Sequence, residues 1–196
     1  MRKNIKIIVG ITGSSGVIYG IKLLYFLKKS KIETHIVLSK WAEKNIEIET
    51  DESIVEVKKL ASFEYRENDM AASISSGSFK TDGMIIIPCS MKTLASIANG
   101  YDDNLISRAA SVTIKENRKL VIVPRETPLS QIHLSNMLKL AKIGVTILPA
   151  MPGFYHRPKT INDLILHIVG KTLDQFEINN EVFKRWKNNE SDSIKN

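Results

Sequence analysis

The stretch GMIIIP at 83–88 restricts this chain more than any other. Nearly every position is apolar, and KLVIVP at 119–124 follows the same rule. A strand that is apolar on both faces has to be covered on both faces, and continuous strands of this kind belong to parallel sheets flanked by helices. The rest of the chain alternates in step. IKIIVGI (5–11), THIVLS (34–39) and GVTILP (144–149) read as strands, with a short one expected within 61–67. Helical patterns fill 15–29, 40–49, 91–99, 104–117, 130–142 and 160–175, with one more over 51–60. The expected fold is a three-layer α/β/α sandwich around a mostly parallel sheet.

At 196 residues the simplest organisation is a single domain over 1–186, followed by a polar, frayed tail over 187–196. The helix at 15–29 is apolar on most sides, which suits burial by the sheet on one side and by another subunit on the other. NDMAASISSGSFKTD (68–82) is serine-rich and without period. A loop of that length inside a compact domain indicates a binding loop or a mobile lid.

Composition removes several classes. Hydrophobic residues make up 43% and charged residues 25%, as in ordinary globular proteins. No apolar run reaches the ~18 residues of a membrane span. The opening Met1-Arg2-Lys3-Asn4 leads into a short run ending at Gly10, better read as a first strand than as a signal peptide, so a cytoplasmic location is expected. Cys89 is the only cysteine, which rules out an internal disulfide. His35, His133, His156 and His167 show no i, i+4 pairing and no cysteine partners, so no zinc site is expected. The net charge of +7 is spread along the chain rather than gathered on one stretch. Nucleic acid is therefore not the expected partner, whereas a small anionic substrate fits the charge.

In doubly wound sheets, ligands bind outside the carboxyl ends of the strands. Four segments fall there: TGSSG (12–16), SK (39–40), PCSMKT (88–93) and PRETP (124–128). TGSSG offers backbone N–H groups and hydroxyls for a phosphate at a helix N-terminus, or else is a tight turn with a serine cap. It matches neither GxGxxG nor GxxxxGK[ST]. In PCSMKT, Ser90 is a helix cap that leaves first-turn N–H groups for an anion, and the lone Cys89 reads as packing. In PRETP, Arg125 can grip a phosphate as a fork while Glu126 gives or takes a proton, with two prolines stiffening the turn. A plain surface pair is the alternative.

YDDNLISRAASVTIKENRK (101–119) opens on Asp102-Asp103, which lacks the spacing of a magnesium site and reads as a helix-terminal cap. Asn104, Arg108 and Lys115, four and seven residues apart, share one helix face. Two cations so placed can neutralise an oxyanion without metal, or simply face water. LPAMPGFYHRP (148–158) is a Pro/Gly-rich strand exit whose Tyr155 suits an apolar ligand, and Trp186 suits packing on a neighbouring subunit or capping a ligand.

Taken together, TGSSG, IETD (48–51), PCSMKTLASIANG, NLISRAASVTIKE, LVIVPRETPLSQIHLSNMLKL and ILPAMPGFYHRP resemble the flavin prenyltransferase (UbiX) family over residues 5 to about 186. The resemblance implies a flavodoxin/Rossmann-like fold, a homododecamer with FMN bound between subunits, and no metal. It implies that the dimethylallyl group of dimethylallyl monophosphate is joined to N5 and C6 of reduced FMN. The product, prenylated FMN, would serve UbiD-type decarboxylases. Position by position, Gly13, Ser14, Ser15, Ser39, Ser90, Met91, Lys92, Thr93 and Arg125 resemble the FMN-binding set. Ser15, Glu49, Lys115 and Glu126 match the catalytic positions. Arg108, Lys115, Arg125, Tyr155, Lys171 and Trp186 match positions near the prenyl donor. Lys171 stands where some relatives carry arginine, and Met70 where some carry tryptophan. Two rival readings are an FMN-dependent peptidyl-cysteine-type decarboxylase and a non-catalytic flavin carrier. The first calls for an early histidine, and residues 12–20 contain none.

Overall fold

The computed structural model describes residues 5–186; the tail expected over 187–196 lies outside the described residues. Two compact units divide the chain, residues 1–150 and residues 151–196. The first contains β1 (Lys6–Ile11), α1 (Val17–Lys29), β2 (Glu33–Leu38), α2 (Lys40–Glu49), α3 (Ile54–Lys58) and β3 (Phe63–Arg66). It continues with β4 (Gly83–Cys89), α4 (Met91–Ala98), α5 (Leu105–Lys115), β5 (Lys119–Pro124), α6 (Gln131–Lys142) and β6 (Thr146–Ile147). The second contains α7 (Ile161–Asp174), with Thr160 and Asp163 capping it reciprocally.

The strands form one sheet in the order β3-β2-β1-β4-β5-β6, and all neighbouring pairs are parallel. Strand order reverses at β1 and β4, which is the topological switch point of a doubly wound sheet. β4 is buried at all seven positions, as its unbroken apolar run requires. Ile8, Met84 and Ile86 face a cluster built with Leu94, Ile106 and Leu140 from α4, α5 and α6. On the opposite face α1 lies so close that a Cβ at Gly20 would stand 2.5 Å from the Ile87 carbonyl oxygen and 2.6 Å from Ile11 Cδ1.

Several expected elements are shorter in the structure. β6 spans only Thr146–Ile147, because Pro149 has no N–H to continue the ladder, although Leu148 and Ala150 still donate to the Ile122 and Pro124 carbonyls. The 51–60 helix reduces to α3, capped by Ser53. The 68–82 segment is fastened rather than loose. It contains a 3₁₀ turn at Ser73–Ser75 with Ile74 buried, Arg108 donates to Ser75 O, and Arg118 donates to Gly77 O and Phe79 O.

The Asp102-Asp103 pair does not cap α5. Asn104 does, in a reciprocal box with Ser107, because its short amide reaches the third-residue N–H directly. Asp102 instead accepts from Ser111 and Arg108, and Asp103 pairs with Lys92 at 2.5 Å. The Lys92 hydrogen bond, opposed by partial burial, holds the Asp103 carboxyl below its ordinary range.

The Gly20 contact yields a prediction. Gly20→Val places branched methyls against a backbone carbonyl that cannot move aside, and stability should fall by about 1–3 kcal/mol. Urea unfolding should report this as a lower midpoint with an unchanged slope.

Candidate functional site

Since all strands run in one direction, the exits of β1, β2, β4 and β5 share one edge. Thr12, almost fully buried, joins the two central exits. Its N–H donates to Pro88 O (3.1 Å), and its hydroxyl donates to the same oxygen (3.0 Å) while accepting from Ser90 N–H (2.7 Å). Ser39 N–H donates to Ile11 O (3.0 Å), and Arg125 N–H donates to Cys89 O (3.3 Å). The Arg125 guanidinium reaches back to donate from Nε to Ser15 O (3.1 Å). The four segments singled out in the sequence therefore meet, and they bring Gly13, Ser14, Ser15, Ser39, Ser90 to Thr93, Arg125 and Glu126 onto one rim.

The rim is shaped to receive polar groups. Gly13 has no room for a Cβ, because the Trp41 side chain occupies that space. Ser14 is buried, and its hydroxyl has no partner. An unsatisfied buried hydroxyl is unfavourable by about 1–3 kcal/mol, so a ligand acceptor or donor is favoured there. Ser39 and Ser90 cap α2 and α4 by accepting from Ala42 N–H (3.1 Å) and Thr93 N–H (3.3 Å). The N–H groups of Met91 and Lys92 precede the first backbone bond of α4, made by Leu94 N–H to Ser90 O, and so can meet an anion.

The N-terminus of α1 differs from the expectation that a serine caps it or a phosphate fills it. Gly16 is the capping residue, with φ of 98°, and contributes no side chain. Glu49, at the end of α2, takes the position instead, its Oε2 accepting from Gly16 N–H (2.7 Å) and Val17 N–H (3.3 Å). A carboxylate there is favoured by the helix dipole. Tyr19 faces the same region; burial raises its hydroxyl above the ordinary range, with Arg125 pulling the other way. Glu126 is exposed and accepts from Thr127 N–H (3.1 Å).

Arg108 and Lys115 form a second group. With Ser75, Ser76, Gly77, Ser78 and Glu116 they line an open depression of about 610 Å³. Arg108 pairs with Asp102 (3.3 Å) and Lys115 with Glu116 (3.1 Å). α5 runs against the strand direction. Its cap, Asn104, meets Glu67 at the carboxyl edge, and Lys115 lies about 16 Å along the axis, beside the start of β5. In the second unit Tyr155 stands edge-on to Trp186 at 5.5 Å, and Lys171 is exposed on α7. Among the described residues no three His, Cys, Asp or Glu side chains are grouped to hold a metal ion.

Sequence reasoning placed Thr12 at the ligand edge within TGSSG without giving it a role of its own, and passed over Tyr19 and Trp41 as site-forming residues. Only Thr12 left a signal, as the hydroxyl-bearing residue directly between a buried strand and a glycine turn.

A family model described as Flavoprotein matches residues 1–173. The chain is 57% identical over 183 residues to the flavin prenyltransferase LpdB of Lactiplantibacillus plantarum, covering 93% of this chain and 98% of the relative. Among solved structures it is similar to AnUbiX (PadA1) in complex with FMN and dimethylallyl pyrophosphate, with a TM-score of 0.92, 50% identity, and coverage of 94% and 98%. It is also similar to a dodecameric FMN-dependent Ubix-like decarboxylase from Escherichia coli O157:H7, with a TM-score of 0.91, 54% identity, and coverage of 93% and 99%.

Cys89 lies on this rim yet is closed off. It is fully buried, and burial pushes its thiol far above the ordinary range. A thiol in that state is not a nucleophile. Native protein at pH 8 should resist alkylation by iodoacetamide, and urea should release one reactive thiol per chain; fast labelling of the folded protein would contradict this burial.

Proposed function

The chain belongs to the flavin prenyltransferase (UbiX) family, and on that premise we propose that it joins the dimethylallyl group of dimethylallyl monophosphate to N5 and C6 of reduced FMN, giving prenylated FMN. The observation that carries this reading is the buried, unpartnered Ser14 hydroxyl on a rim of N–H groups, hydroxyls and one guanidinium. Such a donor set suits a phosphate and the polar edge of a flavin. Gly13, Ser14, Ser15, Ser39, Ser90, Met91, Lys92, Thr93 and Arg125 would hold FMN. When bound, reduced FMN supplies the nucleophilic nitrogen and the ring carbon of the new bonds.

The chain's own residues serve the leaving group and the protons. Breaking the allylic C–O bond sends its electron pair to the phosphate, whose charge Arg108, Lys115, Arg125 and Lys171 neutralise in place of a metal. Each preorganised cation is worth a few kcal/mol at such a transition state. Tyr155 lies at the prenyl phosphate, and it and Trp186 present aromatic rings to the cationic allyl fragment. Glu49 and Glu126 move protons, with the Ser15 hydroxyl as relay. Arg125 occupies the Ser15 carbonyl and leaves that hydroxyl available. Lys115, at the far end of α5 from the rim, would serve the site of a neighbouring copy in a homododecamer.

The domain spans 1–186, and 187–196 is a polar tail. Among the described residues no helix is long and apolar enough to cross a membrane, and we place the protein in the cytoplasm, handing its product to a UbiD-type decarboxylase.

Anaerobic incubation of the protein with reduced FMN and dimethylallyl monophosphate should add one C5 unit to the flavin by mass, unaffected by a metal chelator. Bound but unmodified flavin would favour a carrier, and a chelator-sensitive, magnesium-rescued reaction would remove the cationic leaving-group site. Glu49→Gln isolates the proton role, because the amide oxygen still accepts from Gly16 and Val17. FMN should bind as before while product formation falls about 10²-fold or more, read by flavin fluorescence and product mass.

A further inference from the structure

The second unit contains an aromatic cluster whose hydrogen bonds have a fixed direction. Gly153 N–H donates to His167 Nδ1 at 3.2 Å, so Nδ1 carries a lone pair and the neutral ring bears its proton on Nε2. His167 Nε2 lies 3.2 Å from the Tyr155 hydroxyl. Nε2–H is therefore the donor and the tyrosine oxygen the acceptor, and the tyrosine's own hydrogen points elsewhere.

The surroundings hold this arrangement. His167 is 7% exposed, stacked on His156 at 5.2 Å and edge-on to Phe183 at 5.1 Å. Burial, with His156 and Lys171 as neighbours, keeps His167 below its ordinary range. Both ring nitrogens of His156 are buried without hydrogen-bond partners. Tyr155 is fenced by His156, His167 and Trp186, with ring centroids at 5.4, 5.7 and 5.5 Å, all edge-on. At Gly153 a Cβ would make a tight contact, 3.1 Å from Tyr155 Cε1.

We infer that His167 is a positioning residue for Tyr155: fixed as the Nε2–H tautomer by Gly153, it donates to the tyrosine oxygen and leaves the Tyr155 O–H to donate to a phosphate oxygen of the prenyl donor. The opposite tautomer would accept that O–H and withdraw it from substrate. A hydrogen bond received by the phenol oxygen also strengthens the one it gives. This rests on the assignment of Tyr155 to the prenyl phosphate made above.

Two measurements on the full-length, FMN-loaded protein test it separately. Solid-state NMR of protein carrying ¹⁵N-histidine, with His167 assigned by its loss in His167→Gln, should show Nδ1 unprotonated and Nε2 protonated. The reverse tautomer overturns the inference and leaves the assignment of Tyr155 untouched. In steady-state kinetics, His167→Phe should raise KM for dimethylallyl monophosphate about 10-fold with the KM for FMN unchanged. His167→Gln, which retains a side-chain N–H at the Nε2 position, should restore most of the loss, and Tyr155→Phe should match His167→Phe without adding to it in the double variant. A raised KM in Tyr155→Phe with a normal one in His167→Phe overturns the inference alone. A normal KM in Tyr155→Phe overturns both the inference and the assignment beneath it.

Discussion

One threonine hydroxyl sets the geometry of the rim. At the switch point, β1 and β4 deliver their helices to opposite faces of the sheet, so their exits diverge. Thr12 spans the gap by donating to Pro88 O and accepting from Ser90 N–H. The start of α4 is thereby referred to the end of β1. Arg125 follows through its N–H to Cys89 O and its side chain to Ser15 O. A handful of hydrogen bonds closes a circuit through three strand exits, and the buried Ser14 hydroxyl sits within it.

Around that circuit the helix termini do different work. The N-terminus of α4 is capped by a neutral serine hydroxyl and keeps its leading N–H groups for an anion. That of α1 is already filled by the Glu49 carboxylate. The same physics, an exposed row of N–H groups at the positive end of a helix, thus fixes an internal acid in one place and presents a recognition surface in the other. The cations divide likewise. Arg125 belongs to the rim, whereas Lys115 is carried away from it by the antiparallel course of α5.

What could be read beforehand followed from local rules. GMIIIP had to be a doubly covered strand, Ser90 had to cap a helix, and a parallel sheet had to gather TGSSG, PCSMKT and PRETP at one edge. What could not be read depended on contacts distant in sequence. Nothing near Glu49 announces that it will cap a helix beginning at Gly16, and nothing near Arg118 announces that it will fasten the serine-rich loop. Asp102 and Asp103 looked like caps because they precede α5, but Asn104 reaches the N–H groups first. β6 was overextended because its apolar pattern continues past the point where Pro149 ends the pairing. The family resemblance supplied roles for Arg108 and Lys115 that no spacing could assign.

Both arginines expected to meet phosphate are tethered in the same way. Arg108 spends its Nε proton on Ser75 O, and Arg125 spends its own on Ser15 O. A guanidinium has five N–H donors, and anchoring the one nearest the stem stops the head from swinging while leaving terminal donors for an anion, although Arg108 commits one terminal nitrogen to Asp102. Each behaves as a bracket bolted to main chain rather than as a flexible tether, so the conformational freedom of a long side chain has been surrendered during folding and is not lost again when an anion arrives.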